Sequence, residues 1–210
     1  MCSAHSLGVP RRSTVRILAF SDLHRDLEQA WRLVERSREV NAVIAAGDFA
    51  SQHRGLGEVI DVLSAIDVST VLVPGNNETE DALRSACADW EAACVLHGEP
   101  TEIDELPFFG LGAGVPVTPW DWSFDLSDDE AAALLEDCPE GCVLVVHSPP
   151  RGYLDGSGQA LGSEAILRTI EERIPRLAVC GHVHECQGQS ATVGSTPLYN
   201  LGPRGTVLEV

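Results

Sequence analysis

From residue 15 onward, short apolar runs alternate with longer stretches in which apolar residues return every three or four positions. VRILAF (15–20) is a compact apolar run of strand length, after which Leu27, Ala30, Trp31 and Val34 recur at helical spacing over 27–39. The same alternation predicts a strand over 42–46, a helix over 56–66, a strand over 70–73 and a helix over 78–90. A βαβαβα order of this kind calls for right-handed crossovers and a largely parallel sheet. Beyond residue 93 the pattern shifts to short strands at 94–96, 101–103 and 108–111, followed by a loop rich in Gly, Pro and Trp over 112–125. Ser127-Asp128-Asp129-Glu130 is a capping box that opens a helix to residue 136. Further strands are expected at 142–146, 177–180, 191–193, 198–200 and 206–210, with a helix over 163–174. The expectation is one α/β domain over 14–210, preceded by a disordered tail over 1–13.

The polar residues that interrupt this pattern fall at particular places. Ser21-Asp22-Leu23-His24 follows the first strand, Gly47-Asp48 the second and Gly75-Asn76 the third. His147 follows the 142–146 strand, and Gly181-His182-Val183-His184 follows the 177–180 strand. Open α/β sheets gather their ligands just past the carboxyl ends of their strands. Asp-x-His and His-x-His each set two donors on one side of an extended segment. The combined set of carboxylates, imidazoles and an amide oxygen suits Mn, Fe or Zn better than calcium.

Composition narrows the alternatives. The chain has 210 residues and a net charge of −18, which disfavours binding to long nucleic acid because that requires a basic face. All 14 positive residues are arginine, so Schiff-base lysine chemistry and a P-loop lysine are excluded. The apolar runs fall well short of a membrane span, and the first residues lack the apolar core of a secretory signal. The expected location is the cytoplasm, with the seven cysteines reduced. Cys138 and Cys142 resemble half a zinc knuckle with no second half, so a turn feeding a buried strand is the simpler expectation.

The ordered blocks DLH, GD, GNNE, H and GHVH resemble the calcineurin-like metallophosphoesterase family, whose pattern is D-x-H, G-D, G-N-H-D/E, H and G-H-x-H. The stretches HSPPRGYLDGSG (147–158) and GHVHE (181–185) resemble a compact prokaryotic branch of it. The resemblance implies a four-layer α-β-β-α sandwich with two mixed β-sheets. It implies two divalent metal ions, manganese foremost, with Fe, Zn, Ni or Mg as alternatives. One would be held by Asp22, His24 and His184, the other by Asn76, His147 and His182, with Asp48 bridging both. Such a pair clamps a phosphate and supplies hydroxide near neutral pH for in-line attack on phosphorus.

Asn77 stands where many relatives carry a histidine that assists the leaving group, and it also makes a helix cap with Glu80. An amide cannot give up a proton near neutral pH, so esters with good leaving groups, diesters above all, are the expected substrates. Arg25, Arg151 and Arg204 are candidates for holding substrate oxygens, with a solvated surface role as the competing account. Trp120 and Trp122 would either wall a pocket and stack on a nucleobase or pack against the sheet edge. His53 and His97 fit no motif. The expected partner is a small phosphoester, foremost a small or cyclic nucleotide-type phosphodiester, with no membrane and no long nucleic acid; a homo-oligomer stays open. Beside this phosphodiesterase stand a non-catalytic binding or scaffold protein on the same fold and a nuclease.

Overall fold

The computed structural model describes residues 14–210 apart from 157, 159 and 160. The tail expected over 1–13 lies outside the described residues. The chain runs β1 (Arg16–Phe20), α1 (Leu27–Ser37), β2 (Ala42–Ala45), α2 (Leu56–Leu63), β3 (Thr70–Leu72), α3 (Glu80–Ala86) and β4 (Ala93–Val95). It continues through β5 (Glu99–Ile103), β6 (Leu106–Leu111), α4 (Asp128–Leu134), β7 (Val143–Val146), α5 (Glu164–Arg173) and β8 (Leu177–Cys180). A single 3₁₀ turn at His184–Cys186 leads to β9 (Ser190–Val193), β10 (Thr196–Asn200) and β11 (Thr206–Glu209).

Two mixed sheets result, ordered β11-β1-β2-β3-β4 and β5-β6-β7-β8-β10-β9. β1 to β4 are mutually parallel, as the βαβ alternation requires, and β11 closes the first sheet antiparallel to β1. The central strands are apolar on both faces because both faces are covered. Leu18, Phe20, Val43, Ala45 and Leu72 pack under α1 and α2 against Leu33, Val59, Ile60 and Leu63. Their strand neighbours Ile17, Ala19, Ile44 and Val71 face the second sheet through Phe108, Val143, Val145 and Val179. On that sheet's far side Phe109, Leu144 and Ala178 meet Ala131, Ile166 and Ile170 from α4 and α5. The period-two division of each strand between two cores produces the four layers, α-β-β-α.

The expected elements appear with one instructive displacement. Helix α3 does not open at Glu78: Thr79 is its cap, accepting from Ala82 N at 3.2 Å, and the helix spans Glu80–Ala86. The cap expected from Asn77 with Glu80 is therefore corrected, because Asn77 and Glu78 turn inward and bond to other loops. The helix ends at Ala86, and beyond it Trp90 donates its indole N–H to Ile66 O at 3.0 Å. The Ser127–Glu130 capping box is present. Cys138 and Cys142 are buried beneath α4 and α5, with Sγ atoms 3.7 Å apart. Among the described residues no helix is long and apolar enough to cross a membrane.

Candidate metal centre

Face-to-face packing of the sheets brings the carboxyl ends of β1, β2, β3, β7 and β8 to one edge, and there the polar residues meet. The first two loops are knitted by backbone bonds: Asp22 N to Gly47 O, His24 N to Asp48 O and Arg25 N to Phe49 O, each 2.9 Å. Asp22, His24, Asp48 and His182 all have left-handed backbone, with φ of 57°, 44°, 60° and 65°. Such conformations are costly for side-chain-bearing residues and collect at functional sites. Gly75 is needed for close approach, since a Cβ there would lie 2.0 Å from Asp48 Oδ1.

Two groups of donor atoms form. Asp22, His24, Asp48 and His184 converge in one, and Asp48, His147 and His182 in the other, each with its ligand atoms within 4.8 Å of one another. In the first, His24 Nε2 lies 3.1 Å from His184 Nε2 and 3.5 Å from Asp48 Oδ2, and His184 Nε2 lies 3.5 Å from Asp22 Oδ1. In the second, His147 Nε2 lies 3.5 Å from Asp48 Oδ1 and 3.4 Å from Asn76 Oδ1. Donor atoms about 2.1 Å from a shared ion sit about 3.0–3.4 Å apart, so these separations fit a cation in each group. The tautomers fit as well. His147 Nδ1 donates to Ala46 O at 2.8 Å and His24 Nδ1 to Ala50 O at 3.2 Å, which leaves each Nε2 with a lone pair facing inward. Asn76 Nδ2 donates to Ser123 Oγ at 2.8 Å, so its Oδ1 faces the second group.

The charges of the centre are strongly coupled. Burial raises the Asp22 carboxyl, but His184, His147 and the Ser21 hydroxyl outweigh it and hold it below its usual value. Burial lowers His147, yet the carboxylates of Asp48 and Asp22 raise it above the usual imidazole value. His184 is raised by its bond to Asp22, whereas burial and the neighbouring His147 push His182 down to about 4.

Three buried side chains hold this arrangement, two from the GNNE block and one, Asn200, outside every motif. Glu78 is buried, and its carboxylate accepts from the backbone N–H groups of Gly75 at 2.7 Å, Asp48 at 2.8 Å, Ala50 at 3.0 Å and Phe49 at 3.4 Å. Burial and the Asp48 charge push Glu78 up to about 7. Asn77, expected on the leaving-group side, is buried, with its Nδ2 donating to Asp48 Oδ2 at 2.8 Å and its Oδ1 accepting from Gln52 N at 2.8 Å. Its own backbone N–H reaches Asp48 Oδ1 at 2.9 Å, so Asp48 is gripped on both oxygens. Asn200 Nδ2 donates to Gly181 O at 3.1 Å and Val183 O at 3.3 Å, pinning the loop that carries His182 and His184. The sequence marked Glu78 only as the last residue of the GNNE block, with no role attached; Asn200, which merely ends a strand, gave no signal.

The three arginines are not drawn into the donor groups. Arg25 pairs with Glu58 at 3.5 Å and Arg151 with Glu164 at 3.2 Å, all at exposed positions, and Arg204 is exposed. His97 accepts from Gly112 N at 3.1 Å. A cavity of about 540 Å³ opens beside the donor groups, reaching from His182 and His184 to Trp120 and Leu161.

Comparison with known proteins accords with this geometry. The family model described as calcineurin-like phosphoesterase matches residues 15–186. Human and mouse metallophosphoesterase domain-containing protein 1 are each 38% identical over 137 residues, which is 61% of this chain and 39% of theirs. The match thus spans about two-fifths of the length of these curated relatives. Among solved structures, TT1561 of Thermus thermophilus superposes with a TM-score of 0.77 at 17% identity, covering 93% of this chain and 94% of its own. Phosphopantetheinyl hydrolase from Mycobacterium tuberculosis gives 0.63 at 17% identity over 89% and 88% of the two chains. A dimetal phosphatase from Danio rerio gives 0.61 at 14% identity over 91% and 88%. At these identities the likeness is one of fold.

Proposed function

The chain belongs to the calcineurin-like phosphoesterase family, and we propose that it is a phosphoester hydrolase that uses two divalent ions and prefers small or cyclic nucleotide-type phosphodiesters. The observation that carries this proposal is the Asp48 carboxylate, whose two oxygens face two separate imidazoles, His24 and His147, each at 3.5 Å. Asp22, His24 and His184 would complete one binding group, and Asn76, His147 and His182 the other. A mixed nitrogen and oxygen donor set without thiolate suits Mn, Fe or Zn; manganese is proposed foremost, with Fe, Zn, Ni or Mg as alternatives. When bound, such a pair supplies Lewis acidity toward a phosphoryl oxygen and makes hydroxide available near neutral pH.

The remaining work falls to the chain's own side chains. Asn77 grips Asp48 and so fixes the shared ligand. Its carboxamide carries no proton to give near neutral pH, so no general acid acts from this position, and esters with good leaving groups are favoured. Arg25, Arg151 and Arg204 are candidates for holding substrate oxygens. The exposed ion pairs of the first two are worth at most about 1 kcal/mol and would yield to a phosphate. A net charge of −18 disfavours long nucleic acid, so small esters that reach the local positive charge of bound ions are the proposed partners. Cysteines that are free among the described residues suit a reducing compartment, and we place the protein in the cytoplasm.

Metal analysis followed by an ester screen tests this function. Purified protein is expected to carry two equivalents of divalent ion, to lose hydrolysis with EDTA and to regain it with manganese. Bis(p-nitrophenyl) phosphate should be cleaved far faster than alkyl monoesters. Full activity in metal-free protein would remove the metal role, and a preference for alkyl monoesters would remove the substrate class.

A further inference from the structure

The cavity beside the donor groups is walled by Trp120, Leu161, His182, Val183, His184 and Glu185. Its volume of about 540 Å³ lies within the range of small-molecule sites, about 300–1,000 Å³. Because two of its walls are proposed metal ligands, a group seated in it adjoins the phosphate it is esterified to. The outer wall is apolar and exposed: Trp120 is 48% and Leu161 51% accessible.

Trp120 is held in place. It stacks on Trp122 with ring centroids 5.6 Å apart and planes within 12° of parallel. Ser123 N donates to Trp120 O at 3.2 Å, and Trp122 O accepts from His53 Nε2. Ser123 Oγ accepts from Asn76 and donates to Asp125 Oδ1 at 2.7 Å, so the loop is fastened to a proposed metal ligand. Such fixation lowers the ordering cost of binding.

The chemistry of the walls selects the occupant. Two nearly parallel indoles offer a single flat plane, unlike the angled rings that enclose a quaternary ammonium group. Among the described residues the lining contains no arginine and includes the carboxyl-bearing Glu185, which disfavours a second anionic group. A neutral planar ring fits both constraints. We propose that Trp120 forms a stacking subsite for a neutral planar ring of the ester, a nucleobase or aryl group, and thereby determines substrate specificity. This subsite rests on the phosphoesterase function proposed for the adjoining centre.

Calorimetry on manganese-loaded protein tests it with two ligands that share sugar and phosphate, adenosine monophosphate and ribose 5-phosphate. Wild type should bind the nucleotide about 10- to 100-fold more tightly, the usual worth of base–aromatic stacking. Trp120→Ala should collapse that ratio toward one, Trp120→Phe should keep most of it, and Trp31→Ala on α1 should keep all of it. A ratio near one in wild type, or an unchanged ratio in Trp120→Ala, would overturn the subsite. Hydrolysis of bis(p-nitrophenyl) phosphate, followed in parallel, separates the two claims. Hydrolysis with no Trp120-dependent binding removes the subsite alone. Trp120-dependent binding without hydrolysis keeps the stacking contact but removes the phosphoesterase function and, with it, the role in substrate specificity.

Discussion

His24 and His184 meet with ring centroids 5.0 Å apart at 67°, His147 and His182 at 5.0 Å and 69°, and one oxygen of Asp48 faces each pair. The pairs differ in their surroundings. The His147 side chain is fully buried, whereas those of His24 and His184 are 29% and 56% exposed. His147 is therefore enclosed by the packing of the sheets, whereas His182, half-buried, reaches the open cavity that His184 also lines. The inner pair resists protonation at His182, while the outer pair takes up a proton readily at His184 beside Asp22. Two sites built alike can thus differ in proton competition through their burial and the charges beside them.

The sharpest way to break the comparison is to remove what the pairs share. Asp48→Asn is expected to cut ester hydrolysis at least about 10²-fold, beyond the 10- to 100-fold typical of residues that only orient a ligand. It should also lower metal content at both pairs, and retention of two equivalents in metal analysis would show that Asp48 is not shared. Glu78→Ala comes next. It strips the acceptor from the backbone N–H groups of Gly75, Asp48 and Ala50, so metal-free protein should lose about 3 kcal/mol or more in chemical denaturation. Because these groups frame Asp48, both pairs should weaken together.

Single deletions sharpen the contrast. His24→Ala and His147→Ala should each chiefly empty one pair. His147→Ala should further destabilise the metal-free fold by about 1–3 kcal/mol, since it leaves the Ala46 carbonyl without its donor beside a buried void. Equal stability of the two variants would mean that burial does not distinguish the pairs. The smallest effect is on pH. In metal-free protein, NMR titration of the rings should show His184 protonating above the usual 6.5 and His182 only near 4. His182 is depressed below its unfolded value of 6.5, so the folded state loses stability as pH falls from 6.5 toward 4. His184 is raised, so its contribution is present at low pH and is lost as pH rises through its folded value.

The strand-end blocks could be recognised from the chain because each follows an apolar run that both faces of a sheet must bury. Their convergence follows from parallel pairing of β1, β2 and β3 and of β7 and β8. Glu78 was hidden for a physical reason: locally an acid before Glu80 looks like a helix start, and besides Gly75 it is the β2 loop, about thirty residues earlier, whose amides draw it inward. Asn77 was placed by its motif but not by its contacts, since its bonds to Asp48 and Gln52 are long-range. Asn200 acts on the backbone carbonyls of a distant loop, which no residue pattern encodes. The Trp120–Trp122 stack likewise depends on a loop path that alternation of polar and apolar residues does not fix.

The left-handed backbone at Asp22, His24, Asp48 and His182 also bears on protein engineering. Transplanting this centre into another sandwich by copying side chains onto ordinary strand ends would aim them in the wrong directions. A host must supply the inverted dihedrals as well, each costing about 1–2 kcal/mol for a residue with a Cβ. It must also supply the anchored amides that keep those turns from relaxing. What has to be grafted is the turn together with its clasp, and the chemistry follows from it.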